Sequence, residues 1–303
     1  MAEITLKEVS LQNGETIGYR EREGGSQTVV LVHGNMTSSA HWDLVLENMD
    51  ERYKVYAIDL RGFGTSSYHR PIHSIKDFSD DVKGFADVLD LSGFALVGWS
   101  LGGAVCQQFC IDYPDRCSKL VLVASASTRG YPFFGSNDQG LPDPEKRLKT
   151  LDEVKRDHGK TLPVQGAYDQ KNHELLRAIW NALIYTSHKP EPERYEKYLD
   201  DMCTQRNLAD VYQALNTFNI SKHDNGLTKG NGEVDTIDIP VLALRGDRDL
   251  VVTERMTKEL VEDFEGRVKF IEMKDCGHSP LIDDLDGLLR HMEQFLEREE
   301  QKA

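Results

Sequence analysis

The chain has 303 residues, enough for one large hydrophobic core or for a core domain carrying a smaller insertion. Its 51 acidic and 36 basic residues give a formal charge of −15, a field that repels phosphate backbones and anionic membranes, so nucleic-acid binding is not expected. No apolar run approaches the roughly 20 residues of a membrane helix, and the N-terminus lacks a basic stretch followed by an apolar one, which predicts a cytoplasmic location.

In chain order, residues 3–10 and 15–22 read as two strands joined by Asn13-Gly14, a hairpin signal. Short, wholly apolar runs follow at 28–32, 55–58, 94–97, 120–123 and 240–244, with a weaker one at 268–271. Runs of that length suggest strands covered on both faces. Between them lie helix-like segments at about 39–49, 76–91, 101–113, 253–263 and 283–299. The alternation predicts an α/β fold, a mostly parallel sheet with helices on both faces. It stops between about 128 and 238, where helical periodicity over 174–180 and 192–217 dominates and strand signals are few. The expected plan is a core of residues 1–127 and 239–303 with a mainly helical cap of 128–238. That cap would cover the C-terminal edge of the sheet, where open α/β sheets bind ligands.

Gly98-Trp99-Ser100-Leu101-Gly102-Gly103 ends the run at 94–97 and precedes a helix. Gly-x-Ser-x-Gly in that setting is a sharp strand-to-helix turn that exposes a serine hydroxyl beside the positive end of the helix. Ser100 is the candidate nucleophile. A serine hydroxyl needs a base, and the base needs a carboxylate to orient it. Two aspartates compete for that last role in Arg245-Gly246-Asp247-Arg248-Asp249-Leu250. Asp249, one step before a hydrophobic pair, is preferred, and Asp247 reads as a turn former. His278, in Cys276-Gly277-His278, follows the sixth run and is the candidate base. The backbone N–H groups of Leu101 and of Asn35, in the loop His33-Gly34-Asn35-Met36, are the expected oxyanion donors. His33 reads as a loop-stabilising hydrogen-bond partner. The glycine-containing turn from Asp59 to Ser66 lacks the third glycine of a dinucleotide fingerprint and reads as structural.

The five cysteines, at 106, 110, 117, 203 and 276, are odd in number and form no Cys-x-x-Cys. They suggest neither a disulfide framework nor a zinc site, and no metal or cofactor is expected. Cys276 lies two residues before His278, where oxidation would disturb the site. Asn35-Met36-Thr37 fits a glycosylation sequon, but a glycan there would block the expected site, which again suits a cytosolic protein.

Taken together, His33-Gly34, Asp59 to Ser66, Gly98 to Gly103, Gly246 to Asp249 and Gly277-His278 resemble the α/β-hydrolase superfamily over nearly the whole chain. More narrowly, His33 to Ser39, the Gly98 to Gly103 box, Arg129-Gly130-Tyr131-Pro132, Ile184-Tyr185-Thr186 and Thr204 to Leu208 are similar to intracellular poly(3-hydroxybutyrate) depolymerases of bacilli. The triad implies hydrolysis of a carboxylic ester through an acyl-enzyme, and this resemblance implies a 3-hydroxyalkanoate polyester or oligomer as substrate. Trp99, Tyr131, Phe133 and Trp180 are the expected pocket residues. A small-molecule esterase, a lactonase or a carbon–carbon bond hydrolase is the alternative within the class. A ligand-binding receptor on the same fold and cofactor-free oxygenase or perhydrolase chemistry are the alternatives outside it. His33-Gly34-Asn35 also resembles haloalkane dehalogenases, but those use an aspartate nucleophile where Ser100 stands, so dehalogenation and epoxide opening are set aside. The sequence does not specify an oligomeric state.

Overall fold

Two antiparallel strands open the chain. In the computed structural model, which describes residues 3–137, 139 and 141–297, β1 (Ile4–Ser10) and β2 (Thr16–Arg22) pair with Ile4 opposite Arg22. Gly14 turns the hairpin at φ 88°, a backbone region that glycine enters without a Cβ penalty. There follow β3 (Gln27–Val32), a 3₁₀ turn at Ser39–Trp42, α1 (Asp43–Asn48), β4 (Tyr53–Ile58), α2 (Ile75–Val88), β5 (Phe94–Trp99), α3 (Leu101–Asp112) and β6 (Cys117–Val123). Next come a small hairpin, β7 (Phe134–Ser136) and β8 (Pro142–Arg147), and the helices α4 (Leu151–Lys155), α5 (Thr161–Asp169), α6 (His173–Leu183), α7 (Pro192–Met202) and α8 (Leu208–Thr217). The chain closes with β9 (Val241–Gly246), α9 (Glu254–Asp263), β10 (Val268–Met273), α10 (Pro280–Asp283) and α11 (Leu285–Glu297).

Among the described residues the main sheet has eight strands in the order β1-β2-β4-β3-β5-β6-β9-β10. Pairing is antiparallel at β1–β2 and β2–β4 and parallel from β4 to β10. The apolar runs are apolar throughout because both faces are covered, and alternate side chains enter different cores. Val30, Leu96 and Leu120 join Phe78, Phe85 and Phe109 from α2 and α3. Their neighbours Leu31, Val97 and Val121 join Leu46 of α1 and Leu288 and Met292 of α11. Each fully buried aliphatic side chain contributes roughly 1.5–3 kcal/mol by leaving water.

The segment between β6 and β9 departs from expectation in two places. The hairpin β7–β8 stands where a helical segment is expected. Its second strand, Pro-Asp-Pro-Glu-Lys-Arg, has almost no strand propensity; backbone bonds such as Leu148 N–H to Phe133 O, at 3.0 Å, hold it. The periodicity over 192–217 is two helices, broken at 203–207. The side chains there bond to loops of the core in place of continuing a helix. The expected helix over 283–299 divides into α10 and α11, and its last two residues lie outside the described residues. Apart from a small cluster around Phe133, Leu148 and Val154, this segment shares its apolar contacts with the sheet. Val211, Ala214 and Leu215 of α8 join the first core, and Trp180, Tyr198 and Leu199 of α6 and α7 join the second. No helix among the described residues is long and apolar enough to cross a membrane.

The break at 203–207 and the end of α7 meet the loops that follow β3 and β4. Ser38 Oγ donates to Asp201 Oδ1 at 2.6 Å, and His41 Nε2 lies 3.3 Å from Asp201 Oδ2. The His41 ring stacks on Tyr198 with centroids 4.1 Å apart. Gly64 N–H donates to Thr204 Oγ1, Arg206 N–H to Gly62 O and Asn207 Nδ2 to Arg61 O. Burial opposes ionisation of Asp201, but the bonds and charge of His41 and the Ser38 hydroxyl outweigh it and hold the carboxyl below its usual value. A depressed folded-state value supplies stability above the ordinary carboxylate pKa of about 4, and that stability is lost as pH falls through the lower, folded value. The melting temperature of the wild-type protein should therefore fall more steeply below about pH 4 than that of Asp201→Asn. Parallel melting curves against pH for the two proteins would refute this.

Candidate active site

Ser100 stands between β5 and α3 with φ 54° and ψ −113°, a backbone conformation that costs a non-glycine residue about 1–3 kcal/mol. Its surroundings impose it. Ser100 N–H donates to Val123 O, and its carbonyl accepts from Gly103 N–H and Ala126 N–H, all at 3.0–3.1 Å. A Cβ on Gly98 would lie 2.3 Å from Gly102 O. One on Gly102 would lie 2.2 Å from Val32 O, and one on Gly103 would lie 2.0 Å from Ser125 Oγ. Gly98 and Gly102 are thus required by backbone packed on backbone, and Gly103 by the Ser125 side chain.

His278 and Asp249 meet from adjacent loops. β9 and β10 pair side by side, so the loops at their C-terminal ends are neighbours. His278 Nδ1 is 2.9 Å from Asp249 Oδ2, and both side chains are buried. Asp249 Oδ1 accepts from Val251 N–H and Val252 N–H at 2.8 and 2.9 Å, which fixes the carboxylate. Asp247 instead accepts from Cys276 N–H at 3.3 Å, a loop contact. Of the two aspartates, the one at 249 touches the histidine. With Nδ1 committed to a carboxylate, Nε2 is the nitrogen left to exchange a proton. The histidine loop is tied to the elbow directly, because Trp99 Nε1 donates to His278 O at 2.9 Å.

The loop after β3 reaches the serine. A Cβ on Gly34 would lie 3.3 Å from Ser100 Cβ, so the Asn35 backbone runs beside the elbow. Among the described residues neither Asn35 N–H nor Leu101 N–H has an acceptor. Leu101 heads α3, where N–H groups lack intrahelical partners. His33 is buried; its Nε2 accepts from Leu60 N–H at 2.9 Å, which leaves Nδ1–H to donate to Gly34 O at 2.7 Å. Burial pushes its pKa down, so it is a neutral strut between two loops. The Asp59 turn is likewise internal: the carboxylate accepts from Ser39 N–H and Thr65 N–H.

The four aromatic residues expected in a pocket differ. Trp99 is buried against Trp42 with its N–H on His278 O. Phe133 is buried inside the insertion and stacks on Tyr212 at 4.5 Å. Trp180 packs against Tyr185 and His41. Tyr131 is half-buried, and burial followed by the Asp249 charge pushes its phenol pKa up. Cys276 is buried, and its thiol is pushed up to about 12 by burial and the neighbouring Asp283 and Asp284, so it is a poor target for oxidation.

Three supports escaped the reading of the sequence. Arg245 donates from Nε to Val252 O at 3.0 Å and from Nη2 to Asp249 O, clamping the aspartate turn. Asp283 accepts from Gly277 N–H at 2.7 Å and shapes the histidine loop. Gln205 donates to Asn35 Oδ1 at 2.8 Å. Arg245 and Asp283 act on backbone four to seven residues away and Gln205 on a side chain 170 residues away, and no motif marks any of these bonds.

A family model described as alpha/beta hydrolase fold matches residues 27–285. The chain is 27% identical over 283 residues to a 2-hydroxy-6-oxononadienedioate/2-hydroxy-6-oxononatrienedioate hydrolase of Paraburkholderia phymatum, covering 90% of this chain and 89% of that one. It is 25% identical over 271 residues to a pimeloyl-[acyl-carrier protein] methyl ester esterase of Nitrosomonas europaea, covering 86% and 92%. In fold it resembles the enol-lactonase of Burkholderia xenovorans, with a TM-score of 0.73 at 19% identity over 96% of this chain and all of that one.

The packing at the elbow yields a direct expectation. Gly102→Ala should lower stability by about 1–3 kcal/mol, since the methyl group meets rigid backbone with no side chain able to yield. Chemical denaturation measures it, and a variant as stable as wild type would contradict the geometry.

Proposed function

Because the chain belongs to the alpha/beta hydrolase fold family, we propose that it hydrolyses small-molecule carboxylic esters through an acyl-enzyme on Ser100. The observation that carries this reading is the buried 2.9 Å contact between His278 Nδ1 and Asp249 Oδ2, on a loop tied to the serine elbow through Trp99. Ser100 Oγ attacks the carbonyl carbon, and His278 Nε2 takes the hydroxyl proton. The tetrahedral oxyanion is held by Leu101 N–H and Asn35 N–H. Its collapse breaks the ester C–O bond, and the proton on His278 leaves with the alcohol. Water, deprotonated by His278, then attacks the acyl carbon and frees the acid and Ser100. Residues 128–238 act as a cap over this site.

Of the two relatives, the esterase acts on an ester and the other hydrolase on a dienedioate or trienedioate. The net charge of −15 favours the first type, because a doubly anionic substrate meets a repulsive field. Basic side chains on the insertion are also engaged: Arg206 bonds Ser66 O, and Arg129 bonds Asp263. A polyester reading has one supporting observation, three exposed leucines on the insertion, Leu162 on α5 and Leu175 and Leu183 on α6. Rates on short acyl esters, lactones, dienedioates and hydroxybutyrate oligomers separate these substrates, and the expected order puts short neutral esters first. An order led by dienedioates or by oligomers would overturn the choice of substrate.

The roles are tested one residue at a time on a p-nitrophenyl ester. Ser100→Ala should abolish turnover. Asp249→Asn should lower kcat by about 10³–10⁴-fold, because the histidine loses its tautomer, whereas Asp247→Asn should lose less than about tenfold. The reverse order for the two aspartates would transfer the role to Asp247.

A further inference from the structure

The break between α7 and α8 makes more contacts with the core loops than a linker requires. Gln205, at 3% exposure, is buried in it. Its Nε2 donates both to Asn35 Oδ1 at 2.8 Å and to Asn207 Oδ1 at 3.0 Å, and its Oε1 accepts from Tyr168 OH at 3.1 Å. Asn207 in turn donates to Arg61 O at 2.6 Å. The network fixes the orientation of the Gln205 amide, since the reversed amide would set its oxygen against two acceptors.

The loop these bonds grip does not hold its shape unaided. Met36, next to Asn35, has φ 63°, a strained conformation for a side chain of that size. Within the loop Thr37 Oγ1 donates to Gly34 O, and on the core side Ser39 N–H donates to Asp59 Oδ1. On the other side the anchors come from the insertion: Asp201 holds Ser38, and Gln205 holds Asn35 itself. The peptide assigned as the second oxyanion donor is therefore bracketed by a strained residue and a bond from the cap.

We propose that Gln205 is a positioning residue for the oxyanion hole: by holding the Asn35 side chain it sets the direction of the Asn35 N–H, so the hole is complete only when the 201–207 segment is seated. The proposal rests on the assignment of Asn35 N–H as an oxyanion donor. Gln205 touches no reacting atom. It acts on the transition state through a loop, so its loss lowers kcat more than it raises KM.

The test uses the full-length protein, a p-nitrophenyl ester and active-site titration to count competent molecules. Gln205→Met keeps the side-chain volume and removes the donor, and Asn35→Ala removes the acceptor while keeping the backbone N–H. Each should lower kcat per titrated site by about tenfold, a fraction of the 10²–10³-fold lost with a whole oxyanion donor, with KM within about twofold. The double variant should be no more than about twofold slower than the slower single, because both changes break one bond. Affinity for phenylboronic acid, whose serine adduct places an oxygen in the hole, should fall by the same factor as kcat. Wild-type kcat in either single variant, multiplied losses in the double, or a loss confined to KM would overturn the proposal. If Gln205→Met does not fold, Asn35→Ala tests the same bond from the other end. Loss of activity in Ser100→Ala with an unaffected Gln205→Met removes this inference alone, whereas activity retained in Ser100→Ala removes the ester-hydrolase reading with it.

Discussion

The backbone of Ser100 is held in a conformation it would not choose, and much of the site follows from how that is enforced. The turn from β5 into α3 brings Gly102 onto the carbonyls of Val32 and His33, and Gly98 onto Gly102. A strained residue persists only where its surroundings over-determine it. Here those surroundings are β3, β5 and β6, whose inner positions are almost entirely buried. The sheet is thus the support that lets a half-buried serine stand at the head of a helix. The same parallel register delivers the loops after β3, β9 and β10 to one end of the molecule.

Those loops are tied mainly by bonds from side chains to backbone. Trp99 holds the His278 carbonyl, Arg245 holds the carbonyls of Asp249 and Val252, and Asp283 holds Gly277 N–H. Bonds of this kind fix a loop's path without fixing which side chains it presents. They leave the reacting groups positioned and the remainder of each loop able to vary. From the opposite side, Asp201, Thr204, Gln205, Arg206 and Asn207 fasten the insertion to the loops after β3 and β4. The insertion is an extension of the core in packing terms, since α8 contributes Val211 and Leu215 to the same cluster as α2 and α3.

Reading the sequence went furthest where local chemistry was decisive. Strands covered on both faces are apolar at every position, so Val29 to Val32 and Leu120 to Val123 announced themselves. Ser100 was legible because the glycines around it are demanded by its own turn. Asp249 and Asp247 were separable only by a preference, since two residues in one turn share every local signal and differ only in what lies across from them. The hairpin at 134–147 was hidden because Pro142, Asp143 and Pro144 argue against a strand, and pairing with β7, Ser136 opposite Pro142 and Phe134 opposite Arg147, overrides them. Aromatic residues were the least informative. Trp99, Phe133 and Trp180 have the composition of a pocket lining and are buried in packing, whereas Tyr131 is half-buried. Gln205 stood out only as part of the Thr204 to Leu208 resemblance, and its bonds left no local signal, because its partners Asn35 and Tyr168 are 170 and 37 residues away.

The central claim is that Ser100 is the nucleophile of a covalent mechanism. Intact-mass measurement after treatment with a fluorophosphonate, followed by peptide mapping, tests it most directly. One adduct per chain, located on Ser100 and lost in His278→Ala, is the predicted result. An unmodified chain, or an adduct carried by another serine such as Ser125, would contradict the account.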